Sequence, residues 1–357
     1  MQPFDTLHFG QIDEPGVAYA YYPTNDGPSS LGGSAWFNHT SFNNPMQGNY
    51  AWMGILHETG HALGLKHGHE SPAVSPGRDS VEYTVMTYRS YPGQDLSDGG
   101  GYSNETNGYP QTLMMYDIAT LQKIYGANFS FNNGDSVYTW NSGTGQMLIN
   151  GSPATNPSGN RVFLTIWDGG GNDTYNLSNY ANGSTIDLRP GEWTITSQTQ
   201  IANLGEGHMA RGNVANALLY QGNTASLIEN AIAGSGQDTI IANQAANQLT
   251  GNAGADTFKW MSAGDAGTGA LADTIADFAA GSDHIDLSGI DAVAGTGAND
   301  AFTFIGTGAF TNTAGQLRYD VTGGHAHIFA DLDGNGIADF EIVASNVTTL
   351  AGADFIL

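Results

Sequence analysis

Cysteine is absent, which excludes disulfides and thiolate metal ligation alike. Basic residues are nearly as scarce: 9 Lys and Arg stand against 34 Asp and Glu, a formal net charge of -25. Phosphate-bearing partners would be repelled, so nucleic acid and anionic membrane surfaces are excluded. No run of eighteen apolar residues occurs, and membrane insertion is not expected. The start, Met1-Gln2-Pro3-Phe4-Asp5, carries neither the basic nor the apolar region of a signal peptide. A chain of this kind that leaves the cell is expected to use another route.

What is plentiful is glycine, 50 residues in 357, and carboxylate. The length suggests two domains. The acidic excess has two readings, a solvated surface or a set of calcium ligands whose charge the ion would offset. Without cysteine, calcium is the staple that remains for an extracellular chain.

The densest chemistry lies in His57-Glu58-Thr59-Gly60-His61-Ala62-Leu63-Gly64-Leu65-Lys66-His67. On a helix, positions four apart share a face, so His57 and His61 can put two imidazole nitrogens on one zinc ion. Glu58 projects beside them as a base for a metal-activated water. Gly64 can leave the helix in the left-handed conformation and return His67 as third ligand. Downstream stands Val85-Met86-Thr87-Tyr88. His69 has no assigned role and reads as a loop histidine.

Around this motif, Leu7 to Gly10 and Val17 to Tyr22 read as strands, separated by the turn Asp13-Glu14-Pro15-Gly16. Leu31 to Phe37 is a further strand. At a sheet edge it would pair with an extended substrate; an ordinary hairpin strand fits these residues equally. Helical periodicity spans Asn49 to Leu65 and again Thr112 to Gly126, with a loop-rich stretch between His69 and Gly108. The domain boundary is placed at Gly126, giving domains 1–126 and 127–357.

Beyond it the composition shifts to Gly, Asn, Asp and Thr. From Ile232 a nine-residue period aligns Gly236, Ala245 and Gly254, then Asp238, Asn247 and Asp256, then Ile240, Leu249 and Phe258. This matches the calcium-binding nonapeptide GGxGxDxUx of parallel β-rolls. Repeats one and three fall on one side of such a roll, so Gly234, Gly236 and Asp238 can share calcium with Gly251, Gly254 and Asp256. The middle repeat, Asn243 to Asn247, lacks both glycine and aspartate, and its side is expected to have lost an ion. Asp331-Leu332-Asp333-Gly334-Asn335-Gly336 begins like an EF-hand loop but lacks the later glutamate, and a hairpin turn fits as well.

The pattern HExxHxxGxxH with VMTY resembles the metzincin zinc endopeptidases, and within them the serralysins, over nearly the whole chain. Pro110 to Ile118 and Tyr125-Gly126-Ala127-Asn128 share that likeness. The resemblance implies an α+β metzincin protease domain, a twisted sheet plus active-site helix, followed by an all-β domain with a short parallel β-roll and a β-sandwich. It implies zinc on His57, His61 and His67, Glu58 as general base, Met86 as a hydrophobic floor, and Tyr88 as a ligand that leaves the metal to stabilise the oxyanion. It further implies calcium sites closed by the entry loop with Asp168, Gly170, Gly171 and Asp173, by Asn132, Gly134 and Ser136, and by Glu229. At the position of Asn132 the family carries an arginine binding through its carbonyl. Asp273 and Asp283 match a clasp after the repeats.

The ending Asp354-Phe355-Ile356-Leu357 resembles the carboxy-terminal signal of type I bacterial export, and calcium is then expected to drive folding outside the cell. Implied partners are polypeptide substrates, the type I secretion machinery and a proteinaceous protease inhibitor, for a secreted monomer. Serralysins carry a further strand and a long helix ahead of the segment resembling Asp5 to Gly10. The protease domain is expected to lack that backing, which bears on activity more than on metal binding. Two other readings stay open, a non-catalytic calcium-stapled binding module and a metzincin of another family.

Overall fold

The computed structural model describes residues 7–24, 31–97 and 101–357. The opening residues Met1 to Phe4, and Asp5 of the segment Asp5 to Gly10, lie outside them.

Strands dominate the regular structure, with two α-helices among the described residues. Helix α1 (Tyr50–Ala62) starts where Asn49 Oδ1 accepts Trp52 N–H at 2.9 Å. It ends as Gly64 takes φ +98°, a region glycine enters without steric cost. Helix α2 (Met115–Tyr125) begins with the Asp117 carboxylate accepting Met114 N–H at 2.9 Å and stops at Gly126, φ +87°. Both are shorter than their apolar periodicity, because caps and glycines rather than periodicity set helix ends.

Ahead of α1 stands a sheet of β1 (His8–Ile12), β2 (Ala18–Tyr21) and β3 (Ser34–Asn38), in the order β1-β3-β2. Strand β3 is therefore central, parallel to β1 and antiparallel to β2. The idea that it offers an edge to substrate is thereby corrected. Ala35 and Phe37 of β3 are buried with Ala62 of α1, and a strand buried at nearly every position occupies the middle of a sheet. The edges fall to β1 and β2.

After residue 136, three-residue parallel strands alternate between two sheets. One contains Thr174–Asn176, Asn230–Ile232, Gln248–Thr250 and Asp273–Ile275; the other contains Thr185–Asp187, Thr239–Ile241, Thr257–Lys259 and His284–Asp286. Their central residues, among them Tyr175, Leu249, Ile240 and Phe258, are fully buried in one cluster between the sheets. Antiparallel strands Gln316–Thr322, His325–Asp331 and Phe340–Ala344 extend the first sheet. The second is closed by Phe355–Ile356, parallel to His284–Asp286, with Asp354 accepting Gly281 N–H and Ala351 N–H at 2.7 Å each.

A second core mixes residues from before and after residue 126. Val81, Val85 and Met86 pack with Phe163, Trp193, Ile201 and Leu204. The segment under the histidines thus rests on side chains contributed by the β-rich part.

Candidate metal centre

Helix α1 places His57 and His61 one turn apart, and the turn at Gly64 brings His67 back beside them. The Nε2 of His61 lies 3.1 Å from that of His57 and 3.0 Å from that of His67. The Tyr88 hydroxyl stands 2.6 Å from His67 Nε2. These separations approach the ~3.3 Å edge expected of a tetrahedron with zinc–nitrogen bonds of ~2.0–2.1 Å.

The tautomers follow from the acceptors on the far side of the rings. His57 Nδ1–H donates to Val85 O at 2.7 Å and His61 Nδ1–H to Leu65 O at 2.8 Å. A carbonyl can only accept, so each neutral ring keeps a bare lone pair at Nε2. Burial pulls the His57 imidazole down to about 4 and lowers His61 and His67 as well, which keeps protons off the cluster near neutrality. Lone pairs this close repel unless a cation lies between them, so the donor set fits a metal ion.

Glu58 is half-buried, and burial raises its carboxyl to about 7. Met86 is 2 % exposed and lies against α1 at Gly60, where an added Cβ would sit 2.5 Å from its Sδ. The glycine before the second histidine thus leaves the space that the Met86 side chain fills.

Three residues near the cluster carried no assignment in the sequence. Tyr22, just past β2, stands edge-on to His61 at 5.5 Å between ring centroids. His69 stacks on His67 at 5.3 Å, so this loop histidine covers one face of the ring. Glu70 Oε2 accepts His67 N–H at 2.8 Å and lies 3.3 Å from its Nδ1. Only Glu70 left a signal, an acid three residues after a histidine.

The second group of candidates sits on the turns ahead of the short parallel strands, in two rows. In one row, Ser136 N–H donates to Asp173 Oδ1 at 2.7 Å and Asp173 N–H to Glu229 Oε2 at 2.6 Å. Asp168 joins them, accepting from Tyr138 O–H at 2.6 Å and Gly170 N–H at 2.9 Å, and Asn132 Nδ2–H reaches the Tyr138 oxygen at 3.2 Å. Gly171, at φ +147°, leaves its Cβ position 2.8 Å from both Asp173 Oδ1 and Gly134 O. Asp173 Oδ2 is buried without a hydrogen-bond partner.

In the other row, Asp238 N–H donates to Asp256 Oδ1 at 2.8 Å and Asp256 N–H to Asp283 Oδ1 at 3.0 Å. Gly234 N–H donates to Asp238 Oδ2 at 3.1 Å. At Gly251 a Cβ would lie 2.5 Å from Asp256 Oδ2, and at Gly254, φ +154°, 1.9 Å from Gly236 O. Asp256 Oδ2 is also buried and unpartnered. Orphaned buried carboxylate oxygens beside cradles that a side chain would fill suit an oxygen-seeking cation such as calcium.

Asp273 does not join Asp283, and the idea of one clasp formed by both is corrected. It lies in the first row, where its oxygens accept Asn247 N–H at 2.7 Å and Trp260 Nε1–H at 2.6 Å. Its bond from the indole also anchors Trp260. The middle repeat closes on amides, Asn247 Nδ2–H donating to Glu229 O at 2.8 Å and to Asn243 Oδ1 at 2.9 Å. Asp331, Asp333 and Asp339 form a further acidic group, on the hairpin between His325–Asp331 and Phe340–Ala344. Asp331 there accepts Gly334 N–H and Gly336 N–H, the bonding of a turn.

Comparison with known proteins agrees in both halves. The family model described as Peptidase M10 serralysin C terminal matches residues 127–357. Metalloprotease AprA of Pseudomonas entomophila is 36% identical over 360 residues, covering 91% of this chain and 68% of that protein. Metallopeptidase AprA of Pseudomonas marginalis is 34% identical, covering 91% and 68%, and Serralysin C of Dickeya chrysanthemi 33% identical, covering 93% and 67%.

Proposed function

Because this chain belongs to the M10 serralysin family of metalloproteases, we propose that it is a secreted zinc-dependent endopeptidase with a calcium-stapled β-rich carboxy-terminal half. The observation that carries the catalytic reading is the convergence of three Nε2 atoms and one phenolic oxygen within 3.1 Å contacts.

His57, His61 and His67 would hold the zinc, with Tyr88 as a fourth donor. Bound there, zinc supplies Lewis acidity, lowering the pKa of a water and polarising the scissile carbonyl. Glu58 takes the proton of the attacking water on its carboxylate; a carboxyl that burial holds at about 7 gives it back to the leaving amine with little cost. Tyr88, whose hydroxyl burial keeps protonated, is 41% exposed and can swing from His67 to donate to the oxyanion. Strand β2 is an edge beside α1, and an extended peptide adding to it would run past Tyr22 toward His61.

Residues 1–126 then form the metzincin protease domain and residues 127–357 the calcium domain, a short parallel β-roll with an antiparallel extension. Calcium occupies the turns of Asn132, Gly134, Ser136, Asp168, Gly170, Gly171, Asp173 and Glu229, and those of Gly234, Gly236, Asp238, Gly251, Gly254, Asp256 and Asp283. Export by a type I system, a monomeric state and a protein inhibitor belong to the same reading. Among the described residues no helix is long and apolar enough to cross a membrane.

Casein digestion tests the reading. The wild type should cleave, a zinc chelator should stop it, and Glu58→Ala should lose about 10²–10⁴-fold in rate. Absence of chelator-sensitive cleavage would leave only a calcium-stapled binding module.

A further inference from the structure

Asp117, in the first turn of α2, is 2 % exposed, and its hydrogen-bond partners are Thr84, Val85 and Met114 rather than the metal-site histidines. Its carboxylate accepts three donors: Thr84 Oγ1–H at 2.5 Å, Val85 N–H at 2.8 Å and Met114 N–H at 2.9 Å. The Thr84 oxygen in turn accepts Met86 N–H at 3.0 Å. That amide belongs to the same peptide unit as the Val85 carbonyl, which accepts His57 Nδ1–H at 2.7 Å.

The hydrogen bonds therefore run unbroken from the imidazole of His57, across the Val85–Met86 peptide, through the Thr84 hydroxyl, to Asp117 Oδ1. Every donor in the series points toward the carboxylate. His57, Thr84, Val85, Met86 and Asp117 are each 6 % exposed or less. In such low-dielectric surroundings consecutive hydrogen bonds polarise one another, and an anion at one end strengthens the acceptor at the other.

We propose that Asp117 is a positioning residue for the metal centre. Through Thr84 and the intervening peptide it fixes the ring of His57 and makes Nε2 a stronger donor. The proposal rests on the reading of His57 as a zinc ligand. A purely architectural Asp117 needs only its direct bonds from Val85 and Met114 to tie α2 to the Met86 segment. The Thr84 hydroxyl is where the two roles separate, since Val85 N–H ties the carboxylate to the preceding peptide unit and only Thr84 completes a hydrogen-bond path to the unit that His57 binds.

The test uses the full chain saturated with calcium and kept folded as judged by circular dichroism. Zinc affinity is measured by competition with a chromophoric chelator, and the visible spectrum is recorded with cobalt in place of zinc. His57→Ala should abolish tight zinc binding. Thr84→Val and Asp117→Asn should each weaken zinc measurably but by less than the ~10–100-fold that follows loss of a ligating histidine's direct partner, because Val85 O still accepts from His57, and should shift the cobalt bands. Thr84→Ser should restore both. A folded Thr84→Val protein with wild-type zinc affinity and cobalt spectrum overturns the proposal, and this variant decides alone where Asp117→Asn does not fold. Zinc affinity untouched by His57→Ala overturns the zinc reading itself, and the proposal with it.

Discussion

In the proposed mechanism the clearest division of labour among single residues is between Glu58 and Tyr88. One would carry a proton that must move; the other would hold a hydrogen that must stay until the oxyanion forms. Burial raises both groups, which leaves the carboxyl poised near neutrality and the phenol firmly protonated. Tyr88→Phe should therefore lower kcat by about 10²–10³-fold, the magnitude of losing one oxyanion donor, with little change in KM. Steady-state kinetics on a fluorogenic peptide, beside zinc analysis of the purified variant, checks this. Full activity in Tyr88→Phe would remove the residue from the mechanism.

At the scale of the elements, glycines decide how closely parts approach. Gly60 lets Met86 lie directly on α1, and an alanine there would meet its sulfur at 2.5 Å. Gly60→Ala should cost about 1–3 kcal/mol by overpacking and displace the Met86 side chain from α1. Thermal unfolding and zinc titration read the two effects separately. On the β-rich side, Gly254 combines φ +154° with a Cβ position 1.9 Å from Gly236 O. Gly254→Ala should push the turns of Gly236 and Gly254 apart, losing calcium from the row of Asp238 and Asp256 while the row of Asp173 keeps its own. Calcium stoichiometry by atomic absorption distinguishes this from general unfolding, and an unchanged count would contradict the assignment.

For the molecule as a whole, the proposed calcium sites set burial of carboxylates and metal binding against each other. Burial pushes Asp173 to about 7 and Asp256 to about 6, against an ordinary value of 3.8. A folded-state pKa above the unfolded one favours the protonated fold. The resulting stability is fully present below the unfolded value and is lost as pH rises through 6 to 7. In a chelator, the melting temperature should accordingly be higher at about pH 5.5 than at about pH 8, and relief of the net charge acts in the same direction. On the proposed assignment calcium binds the ionised carboxylates, so the melting temperature it adds should be largest at about pH 8 and shrink on acidification. Calorimetry at both pH values, with calcium and with chelator, reads the four numbers. A calcium increment that grows on acidification would contradict the assignment of Asp173 and Asp256.

The local patterns were legible without coordinates. Histidines four apart on a helix face, a glycine three residues on and a nine-residue period each encode geometry through backbone periodicity alone, and His57, His61, Gly64, Ile240 and Phe258 lie where that periodicity sends them. What only the tertiary structure decided depends on partners distant in sequence. Strand β3 is central because β1 and β2 both pair with it, and Asp273 parts from Asp283 because the turns alternate between two rows. The floor at Met86 is packed by Phe163 and Trp193, and a carboxylate at residue 117 reaches His57 through the peptide after residue 85. Such contacts leave no periodic trace, since hydrogen bonds and packing across dozens of residues are specified by where the chain returns and not by what stands beside it.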